Sequence, residues 1–194
     1  MTPRANQFRL RWMPWIVTVG LILILLVTFP RVEKLGDRYR NFLPIVGGAC
    51  AVLTGSAPEY VLRFAISWSG VHTVKTVLGE SRLNQRPAGD FRGMPSGHAA
   101  TSAFGASSLV NNCVTNSLPA KVAAIVAAGY VGNSRVVAER HNIWQVLIGT
   151  LWAIFVERAF RREGPVRSAI IRRLQPVTRP VRRLVSRARS GSNR

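Results

Sequence analysis

The stretch that decides the fold class is residues 12–29, WMPWIVTVGLILILLVTF, which contains 18 residues and no charge. A helix of this length is sufficient to cross a hydrocarbon core of roughly 30 Å. The run ends at Pro30 without the small-x-small motif that precedes a signal-peptidase cleavage site. We therefore interpret it as a retained first membrane span.

Further apolar runs follow the first one along the chain. They are separated by a polar connection at 31–40 and a Pro/Gly-containing polar loop at 81–95. We find no strand alternation and no heptad seam. The pattern predicts an all-α, integral-membrane bundle of about six transmembrane helices, the later five at residues 42–57, 60–79, 97–110, 118–137 and 141–160.

Composition excludes two broad classes of protein. The chain has 194 residues, of which 47% are apolar, so most of it can bury a core and is not disordered. The cysteines, Cys50 and Cys113, number only two, lie far apart in apolar runs and have no metal-ligand spacing. This excludes a disulfide-dense scaffold, and we expect both side chains to be inert packing residues.

The net charge of +19 is concentrated at the two ends of the chain. Residues 1–11 carry +3 and residues 161–194 carry +10. By the positive-inside rule, both termini should be cytoplasmic, which puts the 81–95 loop and residues 134–141 on the outer face of a bacterial cytoplasmic membrane. We divide the chain into a membrane domain, 1–160, and an Arg-rich tail, 161–194.

The tail has three interpretations. Apolar residues alternate with arginines over 166–174, which suits a short amphipathic helix on an anionic inner leaflet. A solvated tail that only fixes orientation is equally compatible. Nucleic acid is a distant third choice, since there are few aromatic residues to stack on bases, and we expect no nucleic-acid partner.

Three clusters on the predicted outer face carry chemistry. The first is Lys75, with Arg82 seven residues later and then Arg86-Pro87. The second is Pro95-Ser96-Gly97-His98, in which Ser96 is a good helix N-cap and Gly97 allows a ligand to approach the backbone. Free N–H groups at a helix start bind anions, phosphate above all.

The third cluster is Ser134-Arg135 followed by His141. Together, the three clusters resemble the signature of the type 2 phosphatidic acid phosphatase (PAP2) superfamily of membrane lipid phosphatases. The resemblance extends over about residues 36–160. It implies a PAP2-like, acid-phosphatase-like helical core.

The resemblance also implies residue roles in a metal-free mechanism without cofactors. His141 would be the nucleophile that forms a phosphohistidine, and His98 would protonate the leaving oxygen. The phosphoryl oxygens would be held by Lys75, Arg82 or Arg86, Ser96, Gly97 and Arg135. Neutral imidazole can act as a nucleophile or an acid, and cations stabilise phosphoryl transfer.

Two departures from the family pattern stand out. Position 145, four residues after His141, is Gln rather than Asp. Gln145 can still orient the His141 ring, but it brings no charge to stabilise an imidazolium; Glu139 is a less favoured substitute. Arg82 has the family spacing from Lys75 and is preferred for that reason, although the Arg-Pro pair is at Arg86.

The predicted function is hydrolysis of a lipid phosphate or a polyprenyl or other lipid diphosphate at the outer membrane face. Two alternatives remain open. The chain could be a phosphotransferase, or, because of Gln145, a catalytically impaired binder of lipid phosphates. The identity of the lipid does not follow from the sequence.

Overall fold

The computed structural model describes residues 12–28 and 32–161. Within these ranges the chain forms α-helices and a short 3₁₀ turn at Arg82–Asn84. The six α-helices are α1 (Met13–Thr28), α2 (Val32–Leu53), α3 (Ala57–Leu78), α4 (Gly97–Asn112), α5 (Leu118–Val137) and α6 (Ile143–Ala159). The expectation of an all-α fold with about six helices is confirmed.

The number of helices does not by itself establish that they span a membrane. Among the helices of residues 12–28 and 32–161, none combines the length and the apolar character that crossing a membrane requires.

The predicted polar connection at 31–40 is wrong, because residues 32–40 form the first half of α2. Leu35, Gly36 and Tyr39 are buried on one side of this half, at helical spacing. The Tyr39 hydroxyl donates a hydrogen bond of 2.9 Å to the Leu21 carbonyl of α1. The segment is therefore an amphipathic helix whose apolar stripe is narrow enough to be missed by a search for apolar runs.

Helix α4 lies at the centre of the packing and contacts α2, α3 and α5. Small residues such as Ala99, Ala103 and Ala106 face these neighbours and allow close approach. One buried cluster joins the end of α4 to α1, α2 and α5. A second cluster, around Phe104, includes side chains from α2, α3 and α6.

The loop between α3 and α4 is organised by Asn84, whose side chain is fully buried. Its amide nitrogen donates to the carbonyls of Lys75 and Gly79, and its amide oxygen accepts from the Met94 backbone N–H. Buried polar groups are stable when their hydrogen bonds are satisfied, so Asn84 ties the loop to the end of α3.

Cys50 and Cys113 form a disulfide, so the expectation of inert packing thiols is wrong. Cys50 lies in the last turn of α2 and Cys113 directly follows α4. Packing of α2 against α4 brings the two together across 63 residues of sequence, which separation along the chain alone does not reveal.

The described residues up to Glu157 belong to one compact unit. The interpretations of the Arg-rich tail fall on residues beyond 161, outside the described ranges. The tail and the 1–160 boundary therefore stay predictions.

Candidate active site

A cavity of about 900 Å³ contains both motif histidines, His98 and His141. Its lining adds Lys75 and three arginines, a few neutral polar side chains, and a larger set of apolar or aromatic ones. The arginines are Arg40, Arg86 and Arg92, and the apolar walls include Pro44, Ile45, Tyr60, Phe64, Trp68 and Val71. A cationic end joined to an apolar groove suits an amphiphilic anion.

His141 lies in the turn before α6 and is oriented by Gln145, one helical turn later. Its Nδ1–H donates to Gln145 Oε1 at 3.2 Å, which assigns the Nδ1–H tautomer and leaves Nε2 with its lone pair. Gln145 Oε1 also accepts from the Asn142 N–H at 3.2 Å. Gln145 therefore orients the imidazole as the sequence predicts.

The amide nitrogen of Gln145 is hydrogen-bonded to the loop between α3 and α4. It donates to the carbonyls of Leu83 at 3.3 Å and Gln85 at 2.8 Å. The side chain is 1% exposed, and a Cβ at Gly93 would lie 2.4 Å from its Nε2. The amide of Gln145 thus links His141, the candidate nucleophile, to the loop that carries Arg86. This link needs an acceptor for the His141 N–H and a donor for the loop carbonyls.

The pKa of His141 is lowered to about 4. Burial is the largest cause, followed by the positive charge of Lys75; the hydrogen bond to Gln145 acts in the opposite direction. The imidazole is consequently neutral at physiological pH, the form in which a nitrogen is nucleophilic.

His98 lies in the first turn of α4, where two groups of opposite charge approach its Nε2. Arg40 Nη1 is 2.9 Å away and Asp37 Oδ1 is 3.1 Å away. The positive charges of Arg40 and Arg135 disfavour a protonated ring, whereas the carboxylate of Asp37 favours one. The local charge therefore favours a neutral ring.

The Pro-Ser-Gly-His turn is fixed from two sides. Ser96 is fully buried, and its hydroxyl accepts from the Ala99 N–H at 3.4 Å as the N-cap of α4. Its own N–H donates to the Gln145 carbonyl at 2.8 Å. Gly97 lines the cavity, so the start of the helix opens towards a ligand.

The cations predicted from sequence occupy different positions. Lys75 Nζ donates to the Arg92 carbonyl at the cavity. Arg86 lines the cavity and pairs with Asp90 at 2.6 Å. Arg82, in contrast, is exposed on the 3₁₀ turn and does not belong to the cavity lining among the described residues. The geometry favours Arg86 over the spacing-based choice of Arg82.

Arg135 is buried behind the cavity rather than on its lining. Its Nη2 lies 3.4 Å from Asp37 Oδ1 and donates to the Glu33 carbonyl at 3.2 Å. Its Nη1 lies 3.8 Å from the Glu33 carboxylate. Two acids of α2 thus hold this guanidinium close to His98.

Sequence reasoning missed the contribution of α2 to the site. Glu33, Asp37 and Arg40 follow each other at spacings of four and three, which place them on one helix face. Recognition of 31–40 as a helix would have exposed this face. His72, expected to pack, lies on the cavity wall with its ring centroid 4.1 Å from that of Trp68.

Over residues 12–28 and 32–161, no group of three or more His, Cys, Asp or Glu side chains could hold a metal ion.

A family model described as the PAP2 superfamily matches residues 45–164. Neither curated proteins nor solved structures gave a match. The matched range contains both histidines, Lys75, Arg86 and Arg135, whereas Asp37 and Arg40 precede it.

Proposed function

Since the chain belongs to the PAP2 superfamily, whose members are phosphatases, we propose that it is a metal-independent membrane phosphatase acting on a lipid phosphate or diphosphate. The observation that carries this proposal is the cavity itself. It joins two histidines and several cations to an apolar groove in one continuous space.

The proposed first step forms a phosphohistidine. His141 Nε2 attacks the phosphorus, and the bond from phosphorus to the leaving oxygen breaks, with its electron pair staying on that oxygen. Lys75 and Arg86 neutralise charge on the equatorial oxygens, and the Gly97 N–H adds a backbone donor. We place the leaving oxygen near His98, whose ring can donate a proton to it only in the imidazolium form.

In the second step, water attacks the phosphohistidine. The N–P bond breaks, inorganic phosphate departs, and Nε2 of His141 regains its lone pair. Gln145 keeps the Nδ1–H tautomer through both steps, because its oxygen accepts that proton and its nitrogen is committed to the Leu83 and Gln85 carbonyls.

The apolar groove supports a lipid substrate. Phe64, Trp68 and Val71 follow each other along one side of α3 towards His98 and His141. Large apolar side chains outside the cavity lining are also exposed, including Trp12, Trp15 and Trp144. Such exposure favours a lipid environment, and the basic termini favour an outer-face site in a bacterial cytoplasmic membrane.

The direct test is phosphate release in EDTA from a detergent-solubilised panel of lipid phosphates and diphosphates. We expect turnover by the wild type and a loss of at least about 10³-fold in His141→Ala. Ile143→Ala is the matched control, since its exposed side chain lies two residues away, outside the cavity lining. Full activity in His141→Ala would refute the proposed nucleophile.

Phosphotransfer to a second lipid is the alternative outcome of the same chemistry. A label on the terminal phosphate of the substrate distinguishes the two, because hydrolysis puts the label in inorganic phosphate and transfer puts it in lipid. An impaired binder would show lipid-phosphate binding without either product.

A further inference from the structure

Arg40 introduces a positive charge that the sequence motifs do not include. It comes from α2, before the range matched by the family model. Its side chain lines the cavity, and Nη1 lies 2.9 Å from His98 Nε2. Its Nε donates to Asn41 Oδ1 at 3.1 Å.

The position of Arg40 beside His98 indicates which part of the substrate it meets. In the proposed mechanism, His141 attacks from one side of the phosphorus, and the leaving oxygen lies opposite, near His98. The group next to His98 is therefore the leaving group, not the transferred phosphoryl. Lys75 and Arg86 are available for the transferred group.

A cation beside the leaving group discriminates between two classes of lipid. A lipid monophosphate releases an alcohol, which has no charge to offer an arginine. A lipid diphosphate releases a lipid monophosphate, whose phosphate oxygens can accept two parallel hydrogen bonds from a guanidinium group.

The charges around His98 agree with this distinction. Arg40 and Arg135 disfavour its protonated form, while Asp37 favours it. An alkoxide leaving group depends strongly on a proton donor. A phosphate leaving group, with a second pKa of about 6, can depart as an anion if a cation compensates its charge.

We propose that the substrate is a lipid diphosphate and that Arg40 is the residue that selects the phosphate leaving group. The inference rests on the proposed phosphatase function. His141 Nε2 attacks the terminal phosphorus, the bond to the bridging oxygen breaks, and the electron pair stays on that oxygen. The lipid monophosphate leaves with its charge paired to the Arg40 guanidinium. Water then attacks the phosphohistidine and releases the terminal phosphate from His141.

The experiment compares kcat/KM for a lipid diphosphate and a lipid monophosphate with the same hydrocarbon chain. In the wild type we expect the diphosphate to be preferred at least about 10-fold. Arg40→Ala should lower kcat/KM for the diphosphate by about 10- to 100-fold and change that for the monophosphate less than about threefold. Arg40→Lys should recover part of the preference, because it keeps the charge without the fork.

Lys34→Gln is the matched control, since it removes one positive charge from the same helix at an exposed position outside the cavity lining. Its diphosphate preference should equal that of the wild type. An equal loss on both substrates in Arg40→Ala, or an unchanged preference, would overturn the assignment.

A binding measurement separates failure of this inference from failure of the proposed function. Methylene bisphosphonate, which is not hydrolysed, should raise the melting temperature more than methylphosphonate does, and Arg40→Ala should abolish the difference. Equal shifts in the wild type would overturn the inference even if monophosphates are hydrolysed. The absence of turnover on every lipid would refute the phosphatase function, whatever the bisphosphonate result.

Discussion

At the scale of single residues, two features of the site set the tautomer and the charge of the His141 ring. Its Nδ1–H is fixed by Gln145, and burial with the nearby Lys75 lowers the pKa of the ring to about 4. A lowered pKa means that the neutral ring persists as pH falls below 6.5 and is lost only near pH 4. The proposed nucleophile would therefore be available throughout the neutral and mildly acidic range.

This gives a prediction for the titration of His141. In ring NMR spectra of the substrate-free protein, its midpoint should lie well below the ordinary value of 6.5. Lys75→Gln should raise it, because the charge that disfavours the imidazolium is removed, whereas Lys75→Arg should leave it nearly unchanged. A midpoint at or above the ordinary value in the wild type would contradict the burial and charge described for the site.

The amide of Gln145 leads to a second prediction. Gln145→Glu keeps the shape but turns a donor into an acceptor that faces the Leu83 and Gln85 carbonyls. We expect the free energy of unfolding to fall by about 1–3 kcal/mol and kcat to fall with it. Chemical denaturation and phosphate release measure the two effects.

Gln145→Asp extends this test to the family residue. It restores the carboxylate but is one methylene shorter and lacks the amide donors. We expect lower turnover than in the wild type. A large rise in turnover would instead show that the natural chain is catalytically impaired by its glutamine.

At the scale of elements, the site depends on close packing of α6 against the Ser96 turn. A Cβ at Gly149 would lie 2.5 Å from the Ser96 carbonyl oxygen. The contact would be between a side-chain atom on helix α6 and backbone atoms of the Ser96 turn, and backbone cannot easily move aside. The same turn carries Gly97 and His98 into the cavity. The glycine therefore sets the distance between α6 and the start of α4.

We expect Gly149→Ala to lower the free energy of unfolding by about 1–3 kcal/mol and to reduce activity, because the turn must shift. Gly129→Ala on α5 is the control. No atom lies within 4 Å of a Cβ there, so the higher helix propensity of alanine should stabilise the protein by up to about 1 kcal/mol. Equal effects of the two substitutions on stability would contradict the packing argument.

Helix α2 contributes to the site in a way that its sequence pattern does not predict. Its first half is too polar to stand out as an apolar run, yet it contributes Asp37 and Arg40 to the site. Its second half carries Cys50 to Cys113. Both consequences depend on how α2 lies against α4, which no local pattern specifies.

At the scale of the whole molecule, the proposed orientation makes a prediction about exposure. Ala88 lies in the loop near the cavity, and Asn116 lies in the turn between α4 and α5, at the other end of α4. Both are exposed, and the two native cysteines are joined in a disulfide. Single cysteines at these positions therefore report the two ends of the bundle.

We expect a membrane-impermeant maleimide to label Ala88→Cys in intact cells and to label Asn116→Cys only after permeabilisation. The physical reason is the basic ends of the chain, which favour the cytoplasmic side. The opposite pattern would reverse the orientation and move the site to the inner face. Labelling of both without permeabilisation would argue against a membrane-embedded bundle.

The sequence by itself determined the helical class, five of the six helices and the motif residues. Apolar runs, N-cap residues and motif spacing are local features, and they place His98, His141, Lys75 and Gln145 without knowledge of the packing. Ser96 and Ser117, for example, both cap helices that begin where the sequence predicts.

Only the tertiary structure decided which charges meet in the cavity and around it. Arg86 rather than Arg82 faces it, Asp37 and Arg40 reach His98, and Arg135 is held by acids 98 or more positions earlier in the chain. Electrostatic and hydrogen-bond interactions act over a few ångströms of space, and contacts between residues so distant in sequence exist only once the helices have packed.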